Sequence, residues 1–165
     1  MTDLGEGYTI IILSFILALF SYRKSLLLLS AYAVTGLVAQ VVKRFADAPR
    51  PSLYFKDQWA PVHTVKGIEI LAYNSFPSGH TTTAFSAAVV LTYIATKKGW
   101  GIPALLMAIL IGYSRMYLTE HFFEDVIGGS VIGVIVTVFW LTWLENKQFI
   151  HSEKWRTGVI KTVFK

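Results

Sequence analysis

Residues 126–144 read VIGGSVIGVIVTVFWLTWL, a run without a charged side chain, closed by Asp125 on one side and Glu145 on the other. As a helix that run rises about 28 Å, close to the roughly 30 Å of hydrocarbon in a bilayer. Four similar stretches precede it. They are residues 7–22 between Glu6 and Arg23, 25–42 between Lys24 and Lys43, a segment from the Pro77-Ser78-Gly79 turn to Thr96, and 99–114 before Arg115. The stretches 7–22 and 99–114 are short for a crossing, but flanking Arg and Lys side chains snorkel to the interface and lengthen them. The pattern predicts an all-α integral membrane bundle of about five spans. An acidic flank (Asp3, Glu6) distinguishes the first stretch from a cleavable signal peptide, so it is expected to stay.

Composition agrees with that reading. The chain has 165 residues, 54% hydrophobic and 15% charged, with a mean hydropathy of +0.53. Soluble domains carry about 25% charged residues. The length fits one domain, residues 1–165. The absence of cysteine excludes disulfides, iron–sulfur clusters and thiolate zinc sites, leaving only His and carboxylate as metal ligands.

The pI of about 9.5 resembles a nucleic-acid signal until the charges are sorted by membrane face. With five spans, the 23–24 turn, the 97–98 turn and the tail from residue 146 share one side. That side holds Arg23, Lys24, Lys97, Lys98, Lys147, Lys154, Arg156, Lys161 and Lys165 against Glu145 and Glu153, a balance of +7. The other side balances at −2. By the positive-inside rule the first side is cytoplasmic, and the N-terminus and the 43–77 and 115–125 segments face out. No nucleic-acid partner is expected. In the tail 146–165, Phe149, Ile150, Trp155, Val159, Ile160 and Phe164 alternate with basic residues, which suits either an amphipathic helix on anionic headgroups or a solvated tail.

The outward segments hold an unusual set: Lys43 and Arg50-Pro51, Pro77-Ser78-Gly79-His80, and Ser114-Arg115 followed by His121 and Asp125. The alternation of spans brings all three groups to one layer. Lys43, Arg50 and Arg115 supply the positive charge and guanidinium forks that hold a tetrahedral oxyanion. Ser78 and Gly79 at a helix N-terminus offer backbone N–H groups and a favourable dipole to the same anion. His121 and Asp125, spaced i,i+4, are expected to share a helix face, so that the carboxylate orients one imidazole nitrogen and leaves the other as nucleophile. His80 is then the acid that protonates the leaving oxygen. Nothing in the set remains to hold a metal, so no cofactor is expected.

Lys43-x6-Arg50-Pro51, Pro77-Ser78-Gly79-His80 and Ser114-Arg115-x5-His121-x3-Asp125 resemble, with nothing missing, the three-part signature of the type 2 phosphatidic acid phosphatase (PAP2) superfamily. Its soluble relatives include vanadium haloperoxidases. The resemblance spans residues 43–125. It implies that Lys43, Arg50, Arg115, Ser78 and the Gly79 amide bind phosphate, that His121 forms a phosphohistidine oriented by Asp125, and that His80 donates the proton. Membrane members of that family usually have six spans, and here one hydrophobic stretch precedes the first motif instead of two.

The remaining residues receive plainer readings. His63 and His151 are taken as solvent-facing or packing, Lys56, Lys66 and Arg44 as interfacial charges, and Glu124 is given no role. Tyr54, Phe55 and Trp59 are read as an aromatic belt. Gly129-x3-Gly133, with Gly128 adjacent, is read as a close-packing face within the bundle. The expected function is a metal-independent lipid phosphate or diphosphate phosphatase in a bacterial inner membrane. Its candidate substrates are undecaprenyl diphosphate, phosphatidylglycerol phosphate, phosphatidic acid and lipid A. The alternatives are a phosphotransferase using the same phosphohistidine and a protein that only binds lipid phosphate.

Overall fold

A computed structural model of the chain describes residues 7–56 and 71–163, which fold into helices and turns with no strand among them. All five predicted stretches are helical. They form α1 (Gly7–Phe20), α2 (Tyr22–Ala46), α4 (Gly79–Ile94), α5 (Gly101–Tyr117) and α6 (Phe123–Glu145), with a one-turn α3 (Pro51–Tyr54) after α2. His63, Lys66 and Trp59 lie outside the described residues.

α2, α5 and α6 run past their uncharged stretches because charged residues at helix ends are compatible with helix formation, whereas α1 and α4 end within theirs. α2 takes in Arg23 and Lys24 at its start and Lys43 and Arg44 in its last turn, where cations meet the negative end of the helix dipole. It stops at Asp47, whose left-handed backbone (φ 38°) lets its N–H donate to Lys43 O. Three segments are long and apolar enough to cross a membrane: Tyr22–Tyr54, Lys98–Tyr117 and Phe123–Glu145. The other two helices are shorter, α1 with 14 residues and α4 with 16.

α4 packs against α2, α5 and α6, and small side chains make this possible. A Cβ on Gly129 would stand 2.6 Å from Ser78 O, and one on Gly133 would stand 2.6 Å from Thr82 O. The two glycines thus admit the α4 backbone onto α6, which is the close-packing role expected of them. Below that contact Thr137 Oγ1 donates to Ser86 Oγ (2.7 Å), satisfying two buried hydroxyls where water is excluded. Leu27, Leu28, Val90, Leu141 and Leu144 fill the core away from the site, while Phe15 (71% exposed) and Phe139 (72%) face outward. Large apolar side chains so exposed on α1 and α6 suit contact with hydrocarbon.

The tail is neither a lone surface helix nor a solvated end. After a turn at Gln148–His151, α7 (Glu153–Arg156) and α8 (Val159–Val163) fold back on the α1–α2 junction. Ile150 is fully buried in the core cluster, and Thr157 O accepts from Tyr22 N at 3.0 Å. Protein therefore covers some of the apolar tail residues.

Candidate active site

Four helix ends meet at one end of the bundle: the C-termini of α2 and α5 and the N-termini of α4 and α6. Lys43, in the last turn of α2, donates through Nζ to Asn74 O (2.7 Å). Arg50 caps α3, whose first residue is Pro51, a placement the fixed φ of proline favours. Its backbone N–H bonds Ala72 O (2.8 Å), its Nε bonds Tyr73 O (3.1 Å), and Ser75 N–H returns to Ala48 O (3.0 Å). The segment around residue 74 thereby braces both cations of the first motif.

Ser78 is the N-cap of α4, with its hydroxyl accepting from Thr81 Oγ1 (2.9 Å) and Thr81 N (3.4 Å). Gly79 and His80 open the helix, as expected. His80 is half-buried and shares with Lys43 and Gly79 the wall of a cavity of about 580 Å³ between α2 and α4.

The third motif differs from its expected geometry. His121 lies before α6, not on it, so the i,i+4 helix face that predicted its pairing does not exist. The pairing is made by another route. Asp125 occupies the third position of α6 and turns back over the N-terminus, where its Oδ2 accepts from Phe122 N at 2.8 Å and faces His121 Nδ1 at 3.4 Å. Ser75 Oγ donates to the same oxygen at 2.5 Å, and Asp125 O accepts from Ser78 N at 3.0 Å. The second and third motifs are thus bonded directly. Pairing at Nδ1 directs Nε2 of His121 away from Asp125.

Arg115, in the last turn of α5, and Arg50 are both buried, and they share one partner. Glu120 Oε2 accepts from Arg115 Nη2 and from Arg50 Nη1 (3.3 Å). Thr119, with φ 59°, turns the chain after α5 so that Glu120 comes back over Arg115. Burial holds the His121 imidazole below its ordinary pKa, and the charges of Arg50 and Lys43 act in the same direction against the opposing pull of Asp125. The ring is therefore neutral, with a lone pair to use, at neutral pH.

Lys43, Arg50, Arg115, His121 and Asp125 are therefore assembled, and His80, Ser78 and Gly79 stand on the adjoining turn. Sequence reasoning missed Ser75 and Glu120. Ser75 belongs to no motif, and a carboxylate in the spacer of the third motif has the wrong sign for a phosphate site. Tyr54 and Phe55 also stand close to the third motif. Their rings pack on Phe122 (centroids 5.6 and 6.0 Å), clamping the residue next to His121. Arg44, Lys56 and Glu124 are exposed, consistent with the readings given them, and His151 Nε2 lies 2.7 Å from Glu145 O.

Residues 24–149 match the PAP2 superfamily. The chain belongs to that superfamily. It is 31% identical over 150 residues to phosphatidylglycerophosphatase B of Bacillus subtilis (strain 168), covering 82% of this chain and 68% of that protein. It is also 31% identical over 104 residues to undecaprenyl-diphosphatase BcrC of the same organism, covering 62% of this chain and 51% of the relative. The chain spans about half the length of several such relatives. Among solved structures, LpxE of Aquifex aeolicus superposes with a TM-score of 0.72 at 31% identity, covering 86% of this chain and 81% of that one. The PAP2 type phosphatidylglycerolphosphate phosphatase of Bacillus subtilis gives 0.69 at 30% identity, covering 90% and 75%. The PAP2 chain is thus an all-helical membrane protein.

Proposed function

We propose that this PAP2 chain is a lipid phosphate or diphosphate phosphatase that works without a metal through a phosphohistidine on His121. The observation that carries the reading is the His121–Asp125 pair set beside two buried arginines and a lysine. Lys43, Arg50 and Arg115, with Ser78 and the Gly79 amide, hold the phosphate oxygens and stabilise the charge that builds on them in the transition state. His121 Nε2 attacks phosphorus, the P–N bond forms as the P–O ester bond breaks, and His80 gives its proton to the leaving oxygen. Asp125 stabilises the ring as it becomes positive. Water then attacks the phosphohistidine, His80 takes a proton from that water, the P–N bond breaks, and inorganic phosphate leaves with His121 neutral again.

A lipid substrate is supported by location. The catalytic groups stand at helix ends, in the layer where a bilayer presents its headgroups, and similar proteins are named for undecaprenyl diphosphate, phosphatidylglycerophosphate and lipid A. The charge split of +7 against −2 supports placing this layer at the outer face of a bacterial inner membrane, with the C-terminus cytoplasmic. Undecaprenyl diphosphate and phosphatidylglycerol phosphate rank ahead of phosphatidic acid because a multiply charged headgroup pairs more of the cations. Glu120 narrows that margin by neutralising part of the field.

The test is phosphate release by the purified protein from defined lipids in mixed micelles, alongside a water-soluble monoester. Lipids are expected to give the higher kcat/KM. A higher value for the soluble ester contradicts a lipid substrate, and transfer to an added alcohol in preference to water makes the protein a phosphotransferase.

A further inference from the structure

At the other end of α2 from Lys43, a second cavity of about 340 Å³ is lined by Phe20, Ser21, Arg23, Lys24, His151 and Arg156. Along the helix, Lys24 and Lys43 are about 29 Å apart, roughly the thickness of the hydrocarbon layer. The catalytic set is at one membrane face and this cavity is at the opposite one.

The cavity is held together by hydrogen bonds and close packing between distant parts of the chain. One wall is the α1–α2 junction and the other is the C-terminal tail. Tyr22 N–H bonds Thr157 O (3.0 Å), and Ser21 Oγ bonds Trp155 O (3.4 Å). A Cβ on Gly158 would stand only 2.4 Å from Leu19 O, so the tail backbone lies directly on the end of α1.

Its charges are unevenly satisfied. Arg23 is paired with Glu145 at 2.5 Å, and His151 sits on the same glutamate's backbone and carboxylate. Among the described residues neither Lys24 nor Arg156 has an ion-pair partner, and Arg23 Nε is buried without an acceptor. Of the three fixed cations that line the cavity, only Arg23 thus has an ion-pair partner among the described residues. Beside them Phe20 is 62% exposed, and Leu19 and Ile16 continue an exposed apolar strip along α1 toward the membrane interior. A ligand with a negative head and apolar chains matches both surfaces at once, whereas a free anion matches only the first.

The geometry points to a binding site for the headgroup phosphate of an anionic phospholipid in the leaflet opposite the catalytic site, built by Lys24, Arg156 and Arg23 with the acyl chains along α1. The site fastens the tail to the α1–α2 junction when lipid is bound. It is independent of the reaction proposed above.

The experiment titrates phosphatidylglycerol, a phosphodiester with no terminal phosphate to hydrolyse, into the detergent-purified full-length protein and follows the thermal unfolding midpoint. Phosphatidylcholine and inorganic phosphate are the parallel titrations. Phosphatidylglycerol is expected to raise the midpoint of the wild type and of Arg50→Ala alike, since the catalytic arginine is at the far face. Lys24→Gln/Arg156→Gln is expected to need on the order of tenfold more of the lipid for the same shift, while its hydrolysis of a soluble aryl phosphate stays unchanged. If the double variant does not fold, Arg156→Gln alone, at an exposed position, is expected to lose part of the response. An undiminished response in these variants overturns the site. So does an equal shift from phosphatidylcholine, which makes charge irrelevant, or an equal shift from inorganic phosphate in Arg50→Ala, where the catalytic end no longer holds phosphate, which makes the lipid irrelevant. A shift that disappears in Arg50→Ala overturns it too, by assigning the binding to the catalytic end.

Discussion

Ser75 and His121 share one oxygen of Asp125: the serine hydroxyl donates to Oδ2 at 2.5 Å, and the imidazole Nδ1 faces the same atom at 3.4 Å. The carboxylate is thereby fixed from the loop before α4 as well as from its own helix N-terminus. Ser75→Ala removes one donor from a buried carboxylate, at about 1.5–3 kcal/mol for a hydrogen bond to a charged group. The expected result is a lower unfolding midpoint and a kcat reduced less than in Asp125→Asn, with KM little changed. A kcat equal to wild type shows that Phe122 N–H alone positions Asp125.

Glu120 ties the arginines of the first and third motifs to one carboxylate oxygen. Glu120→Gln adds one unit of positive charge beside the proposed phosphate site. Inorganic phosphate and vanadate are expected to inhibit this variant at concentrations roughly tenfold lower than wild type, with a lower unfolding midpoint because two buried guanidiniums lose their shared counter-charge. Weaker inhibition makes Glu120 a residue that sets the spacing of the arginines, with little effect through its charge.

Burial lowers the His121 pKa, so the neutral, nucleophilic ring persists as pH falls through the ordinary histidine value of about 6.5. The acid limb of kcat/KM, corrected for ionisation of the ester, is expected below that value. The stability effect has the matching sign. Between the ordinary and the lowered pKa the unfolded chain binds more protons than the folded one, so stability falls as pH falls through that window. His121→Asn should lose this acid sensitivity. An acid limb at or above about 6.5 contradicts the electrostatic environment described for His121.

His80, in the first turn of α4, is the residue proposed to transfer the proton to the leaving group. His80→Ala is expected to impair an alkyl phosphate by about 10²–10⁴-fold and an aryl phosphate far less, because an aryl oxide leaves with little need of a proton. Parallel rate measurements on the two esters check this. Equal losses on both remove His80 from the acid role.

The helices were legible because uncharged runs bounded by Arg, Lys, Asp or Glu have one interpretation in a chain this apolar, and all five runs are helical. That the three motifs meet at one end of the bundle was legible because the spans alternate in direction. What remained hidden depends on the tertiary path of loops. The His121–Asp125 contact arises from an N-terminal turn, which the same spacing does not distinguish from a helix face. Ser75 reaches Asp125 only because its segment lies along residues 48–50. The tail docks because Gly158 permits contact with Leu19, a packing detail that an amphipathic pattern does not record.

The central claim is covalent. The measurement that tests it most directly is rapid mixing of enzyme with ³²P-labelled substrate, quenched in alkali, where a phosphoramidate survives, and followed by peptide mapping of the label. The predicted result is label on His121, formed and lost at rates that support turnover, with no label and no turnover in His121→Ala. Turnover in His121→Ala above a trace, or label mapped to another residue, contradicts it.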